Sequence, residues 1–220
     1  MKKGLVVCFY ACVLVLGASQ NSRAEGDEIC LSDLHALLKS ANKSQQATLP
    51  ASCQKIGPIY LGMEYSDVIR SLGDPDKTTR NGSRLTTTYI YPRDINHRLL
   101  NHPQNLSDIR YSLLAIVYSN NKVSAIDAMV YPGTEFPYEF YGQSFGVPVE
   151  ELIEKIGAKP VWNTPKDTVM YPPLPINFSV GSSNGQVYGL NIADTASDMS
   201  RLPGLKVEYQ EKTKLVKSLH

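Results

Sequence analysis

Residues 59–73 read IYLGMEYSDVIRSLG and residues 143–157 read QSFGVPVEELIEKIG. At an offset of 84 they align without a gap. Gly62 matches Gly146, Met63 matches Val147, Val68 and Ile69 match Leu152 and Ile153, Leu72 matches Ile156, and Gly73 matches Gly157. Each string spells a turn, a short amphipathic helix and a glycine at the helix C-terminus, where a left-handed backbone closes the last turn. Val68, Ile69 and Leu72 share one helical face, as do Leu152, Ile153 and Ile156. Pro148 suits the first turn of the second helix.

A second match lies downstream. LLAIVYSNNKVSAIDAMV (113–130) resembles NFSVGSSNGQVYGLNI (177–192) at an offset of 64. Asn120-Asn121 and Asn184-Gly185 each read as a hairpin turn between strand-forming runs, Asn-Gly being the better type I′ pair. LTTTYIY (85–91) alternates as a further strand, with a weaker counterpart near Val169 to Tyr171. The first copy carries about 20 extra residues, in line with the difference between the two offsets, and 93–108 reads as a loop insertion. Each copy is thus expected to be a helix followed by about three antiparallel strands. One helix on one small sheet has a thin core, so the two copies are expected to pack together.

The string LGM-x-x-x-x-V-x-x-x-L-G-x-P at 61–75, followed by Tyr89 and Tyr91, resembles the BamE-like family, the small outer-membrane lipoprotein of the barrel-assembly machine. The tandem arrangement resembles beta-lactamase inhibitory protein, built from two such units. The second copy keeps Gly146, Leu152, Ile156 and Gly157 but lacks the proline two residues after the second glycine. The resemblance covers roughly 59–130 and 143–192 and implies a helix-plus-sheet fold. Its motif positions are turns and core, so they imply fold before function.

The N-terminus has the pattern of a secretory signal. Lys2 and Lys3 precede an apolar run over 5–16, too short to cross a bilayer. Small residues Ser22 and Ala24 favour cleavage after Ala24, with Ser19 as the second choice. No cysteine sits in a lipobox setting, so no lipid anchor is expected. Three of the 22 basic residues (Lys2, Lys3, Arg23) leave with the signal, and the remaining 19 face 21 acidic ones, a formal −2. That balance gives no electrostatic case for nucleic acid. No second long apolar run appears, so no integral membrane insertion is expected. The expected compartment is periplasmic or secreted.

Cys8 and Cys12 belong to the signal. Cys30 and Cys53 read as one disulfide, since they lack a CxxC spacing and an oxidising compartment favours pairing. Residues 25–56 then form an N-terminal appendage. Ser32 caps a short helix through Leu34, Leu37 and Leu38, the polar stretch 42–48 follows, and the disulfide staples the helix to the body. The organisation expected is 1–24 signal peptide, 25–56 appendage, 57–134 first αβββ repeat, 135–195 second αβββ repeat and 196–220 tail. The fold class is α+β.

Chemistry is sparse. No HExxH, GxSxG, Walker or GxGxxG string occurs. His97 and His102, five apart in the insertion, lack accompanying carboxylates or cysteines and read as solvated loop residues, with a shared metal as the sharper alternative. Asp67, Glu150, Glu151 and Glu154 fall on polar helix faces. Ser32 with His35 reads as a cap and a surface histidine. Neither a catalytic residue, a metal nor a cofactor is assigned.

The connector YPGTEFPYEFYG (131–142) holds Tyr131, Phe136, Tyr138, Phe140 and Tyr141. Tyrosine-rich, turn-rich segments make good contact surfaces, because tyrosine gives large area at small entropy cost. The same rings would equally seal the junction between the copies. VMYPPLPINF (169–178) reads either as a binding loop or as a proline-protected edge strand. The lysine-rich 205–220 reads as a frayed helix or tail. The chain is therefore expected to bind another protein as a non-catalytic inhibitor, immunity-type or envelope-assembly module. The alternative is a periplasmic enzyme or small-ligand carrier with its site between the copies.

Overall fold

The computed structural model describes residues 21–40, 47–93 and 111–199. Residues 1–20 of the signal expected over 1–24, residues 41–46 of the polar stretch, residues 94–110 with His97 and His102, and residues 200–220 lie outside them.

Helix α1 spans Asn21–Ser40. It starts eleven residues before Ser32, which is therefore an exposed interior residue and not the cap expected for it. No proline interrupts the stretch upstream, and a serine inside a helix costs little. Cleavage after Ala24 would fall in the helix's first turns. After a 3-10 turn at Ala51–Cys53, the hairpin β1 (Lys55–Ile56) and β2 (Ile59–Tyr60) leads to α2 (Tyr65–Leu72). Four strands follow: β3 (Lys77–Asn81), β4 (Arg84–Tyr91), β5 (Ser112–Ser119) and β6 (Lys122–Met129). The second half runs α3 (Val149–Ile156), β7 (Val161–Trp162), β8 (Thr168–Met170), β9 (Ile176–Val180) and β10 (Val187–Ala193). A final turn, α4 (Ala196–Met199), occupies the start of what reads as tail.

Strands β3 to β10 form one antiparallel sheet in the order β3-β4-β5-β6-β10-β9-β8-β7. The fold is α+β, with an N-terminal helix held by the Cys30–Cys53 disulfide, whose Cα atoms lie 5.0 Å apart. Each half has four strands after its helix, one more than expected. The polar β3 and the two-residue β7 show no apolar alternation by which to recognise them. The halves meet side by side through β6 and β10 rather than face to face.

The same backbone contacts occur in both halves. Gly62 N–H donates to Val123 O and Gly146 N–H to Val187 O, both at 2.7 Å. Val123 N–H reaches Met63 O, and Val187 N–H reaches Val147 O, both at 2.9 Å. Tyr65 N–H to Asn121 O (3.0 Å) has its counterpart in Val149 N–H to Gly185 O (2.9 Å). The left-hand residues differ by 84 and the right-hand ones by 64. Gly73 and Gly157 close their helices with N–H bonds to Ile69 O and Ile153 O, at φ 76° and 66°. Even the Ile56–Ile59 pair of the first hairpin has its counterpart in a bridge between Phe140 and Gln143.

The turn chemistry differs from expectation. Asn120 and Asn121 both have positive φ (51° and 66°) and form the two-residue turn between β5 and β6. Asn184-Gly185 sits instead in a longer loop, where Gly185 N–H bonds Gly181 O and Gly181 N–H bonds Gln186 O. This loop has two more residues, so β9 follows β5 at an offset of 62 while β10 keeps 64 behind β6. Both hairpins bulge by one residue at the equivalent place, Ser124 and Tyr188.

The core lies between the helices and one face of the sheet. Val68 of α2, Leu152 and Ile156 of α3 and Leu34 of α1 join Tyr89, Ile116, Ile126, Phe178 and Leu190 in one buried cluster. On the other face a smaller cluster of Val117, Ala125 and Ala193 packs under Met199 of α4. Helix α1 abuts the end of α3. His35 Nδ1 lies 3.1 Å from Ile156 O, and a Cβ at Gly157 would stand 2.6 Å from that ring nitrogen.

Candidate functional site

The aromatic connector runs from the end of β6 to the bridge before α3, and its five rings divide. Phe140 and Tyr141 are buried, Phe136 and Tyr138 half-buried, and Tyr131 is 40 % exposed. Phe140 packs against Phe145 (centroids 4.8 Å), Tyr141 (5.9 Å) and Phe178 of β9 (6.0 Å). Tyr141 donates its hydroxyl to Cys53 O at 3.0 Å, tying the connector to the disulfide turn. Tyr138 and Phe136 stand edge-on to Tyr91 of β4 at 5.7 and 5.2 Å, and the Tyr91 hydroxyl donates to that of Tyr138 at 3.1 Å. Gly57 lets the Tyr138 ring approach: an added Cβ there would sit 2.5 Å from the ring, at a φ of 56° that already favours glycine.

The connector therefore joins the disulfide turn, β4 and β9. Four of its five rings pack against the core, which is the sealing role. Burial raises the Tyr91 and Tyr141 hydroxyl pKa values above the ordinary range, so both stay neutral donors. What the connector leaves at the surface is Tyr131 with Pro132, Gly133, Glu135, Pro137, Glu139 and Gly142.

Tyr171, in the proline-tyrosine segment, is 2 % exposed, and its hydroxyl has no hydrogen-bond partner among the described residues. Burial pushes its pKa up to about 12. A buried hydroxyl without a partner costs about 1–3 kcal/mol, whereas a made bond contributes about 1. Tyr171→Phe is thus expected to be neutral or to stabilise by about 1 kcal/mol, and Tyr141→Phe to destabilise by a similar amount. Urea denaturation of the two variants checks this; equal losses would mean that the Tyr171 hydroxyl is satisfied.

The ends of the sheet differ in a way that no sequence pattern announced. Edge strand β3 carries Lys77 and Arg80, and charge on an edge discourages further pairing. Edge strand β7 carries Val161 and Trp162, 50 % and 36 % exposed. The signal that could have found it is composition: Trp162 is the chain's single tryptophan. Other exposed large apolar residues are Tyr60 in β2 and Ile29 in α1.

The helix carboxylates behave as ordinary surface groups. Asp67 pairs with Arg70 and Glu151 with Lys155, each at 2.7 Å. Among the described residues, no group of three or more His, Cys, Asp or Glu could hold a metal ion. No helix among them is long and apolar enough to cross a membrane.

No family model and no curated protein matches the chain. Among solved structures it is similar to a cysteine-rich secretory protein from Staphylococcus aureus subsp. aureus Mu50, at a TM-score of 0.40 and 6 % identity, over 64 % of this chain and 46 % of that one. An extracellular protein containing a SCP domain from Bacillus anthracis str. Ames aligns with a TM-score of 0.35 and 10 % identity, over 74 % and 50 % of the two chains. The chain thus spans about half the length of each.

Proposed function

We propose that the chain is an exported, non-catalytic module, periplasmic or secreted, that binds another protein as an inhibitor, immunity-type protein or envelope-assembly accessory. The observation that carries this reading is the asymmetry of the sheet edges. An open edge strand offers unpaired backbone groups to an extended segment of a partner, and flanking side chains supply selectivity. Strand β7 exposes Val161 and Trp162 at such an edge, while β3 is guarded by charge. Tryptophan is over-represented among residues that dominate binding energy. Tyr131 on the connector is a second exposed aromatic contact. The resemblance to the BamE-like family and to beta-lactamase inhibitory protein belongs to the same proposal. Its glycines, Gly62, Gly73, Gly146 and Gly157, lie at turns and helix ends, so they speak for a shared way of turning the chain.

The test is site-specific photocrosslinking of the full chain in its native envelope, with the reactive group at Trp162 or at Thr79. A discrete, stoichiometric protein adduct from position 162 and none from 79 is expected. No adduct at 162, or the same adducts from both positions, would sink the edge as the binding site. The alternative is a catalytic or small-ligand site between the halves, and the exposed edge strand β7 is what favours the binding reading over it.

A further inference from the structure

The seam between β6 and β10 has a symmetry of its own. Gly189 lies opposite Met129, Leu190 opposite Ala128, Asn191 opposite Asp127, Ile192 opposite Ile126 and Ala193 opposite Ala125. The shared hydrogen bonds of Val123 and Val187, and the bulges at Ser124 and Tyr188, make β10 the equivalent of β6 at an offset of 64. Under that equivalence the pairing maps onto itself. Ala125 faces Ala193, while its equivalent Gly189 faces Met129, the equivalent of Ala193. Asp127 faces Asn191, its own equivalent. The two therefore sit on a pseudo-two-fold axis, as a self-paired position does in an isologous dimer.

The residues on that axis are polar and unlike. Asp127 is buried, and Asn191 Nδ2 donates to Asp127 Oδ1. Two first halves joined through the same strand would bring Asp127 against Asp127. Like charges directly opposite destabilise a strand pair, and a buried setting sharpens the penalty. Two second halves would bring amide against amide, which can hydrogen-bond. A pair of chains docked like half on like half needs both seams, and the first carries the penalty.

We propose that the seam is a dimer-type interface closed within one chain, and that the Asp127–Asn191 pair on its axis selects first half against second half and disfavours like-on-like docking of a second copy of this chain. The partner class is thus the chain itself, and the pair is the specificity-determining element. The inference stands apart from the binding role proposed for β7.

The symmetry gives a sharp test in the full-length protein. Asn191→Asp puts two carboxylates on the axis and is expected to lower the melting midpoint by roughly 5–10 °C. Exchanging the two residues, Asp127→Asn with Asn191→Asp, restores the unlike pair and is expected to recover most of that loss. Asp127→Asn alone removes the penalty on like-on-like docking, so refolding at high concentration is expected to yield several-fold more dimer than the parent by light scattering. The proposal is overturned by an Asn191→Asp variant that melts like the parent. An exchange variant that is as unstable as Asn191→Asp, or that does not fold, also overturns it. So does an Asp127→Asn variant that refolds with the parent's dimer fraction.

Discussion

Phe140→Ala is expected to destabilise the protein by about 3–5 kcal/mol, the usual cost of emptying a buried phenylalanine site. At roughly 2–4 °C per kcal/mol for a chain of this size, the melting midpoint falls by about 10 °C or more. The ring is 1 % exposed and touches Tyr141, Phe145 and Phe178, so its removal leaves a gap that spans the connector, the approach to α3 and β9. Phe178 is fixed by the sheet and Tyr141 by its bond to Cys53 O, so the site cannot collapse far into the gap, which places the cost toward the upper part of that range. Tyr131→Ala, nine residues earlier in the same connector, is expected to cost about 1 kcal/mol or less, because that residue is 40 % exposed where Phe140 is buried. Thermal melts of the two variants separate the roles that the aromatic run combines. A Phe140→Ala variant as stable as Tyr131→Ala would refute the sealing role.

The contrast shows where the sequence was informative. Composition and spacing singled out the connector, because aromatic residues between prolines and glycines are visible as a string. They did not divide it. Phe140 and Tyr141 differ from Tyr131 in burial, and burial is set by Cys53, Tyr91 and Phe178, which lie 38 to 88 positions away from their partners in the connector. The helices were legible for the opposite reason. Val68, Leu152 and Ile156 obey a local period, and Gly73 and Gly157 mark their ends, so α2 and α3 need no distant information. The Cys30–Cys53 disulfide was legible by elimination.

Strand order was not legible. Nothing local distinguishes a side-by-side joining of β6 and β10 from a face-to-face packing of two sheets, since both bury the same alternating residues. The choice rests on non-local pairing, with Asp127 opposite Asn191. Strand β7 is not legible either, because two residues, Val161 and Trp162, are too few to show a period. The two hairpin turns reverse the order of their local propensities. Asn-Gly is the stronger type I′ pair in isolation. Here the two further residues between β9 and β10 turn that pair into part of a longer loop, while Asn120-Asn121 takes the tight turn.

Removal of the disulfide by Cys30→Ala with Cys53→Ala is expected to cost about 3 kcal/mol, from the lost constraint on a loop of this length in the unfolded chain. Sequence separation is 23, and both cysteines are fully buried, so the bond is a structural clasp rather than an accessible thiol pair. The form of the transition carries as much information as its position. Helix α1 is also held by buried Leu34, by Ser52 donating its hydroxyl to Asp33 at 2.7 Å, and by His35 at the end of α3. Those contacts reach the disulfide turn on one side and the second half on the other, so α1 belongs to the common core. The variant is therefore expected to keep its helical signal at low temperature and to melt in a single transition, lower by roughly 6–12 °C. Far-ultraviolet circular dichroism through the melt reads both quantities. Early loss of part of the helical signal, well before the sheet unfolds, would mean that α1 is an appendage held by the disulfide alone. A midpoint unchanged within about 1 °C would remove the disulfide from the list of what holds the fold together.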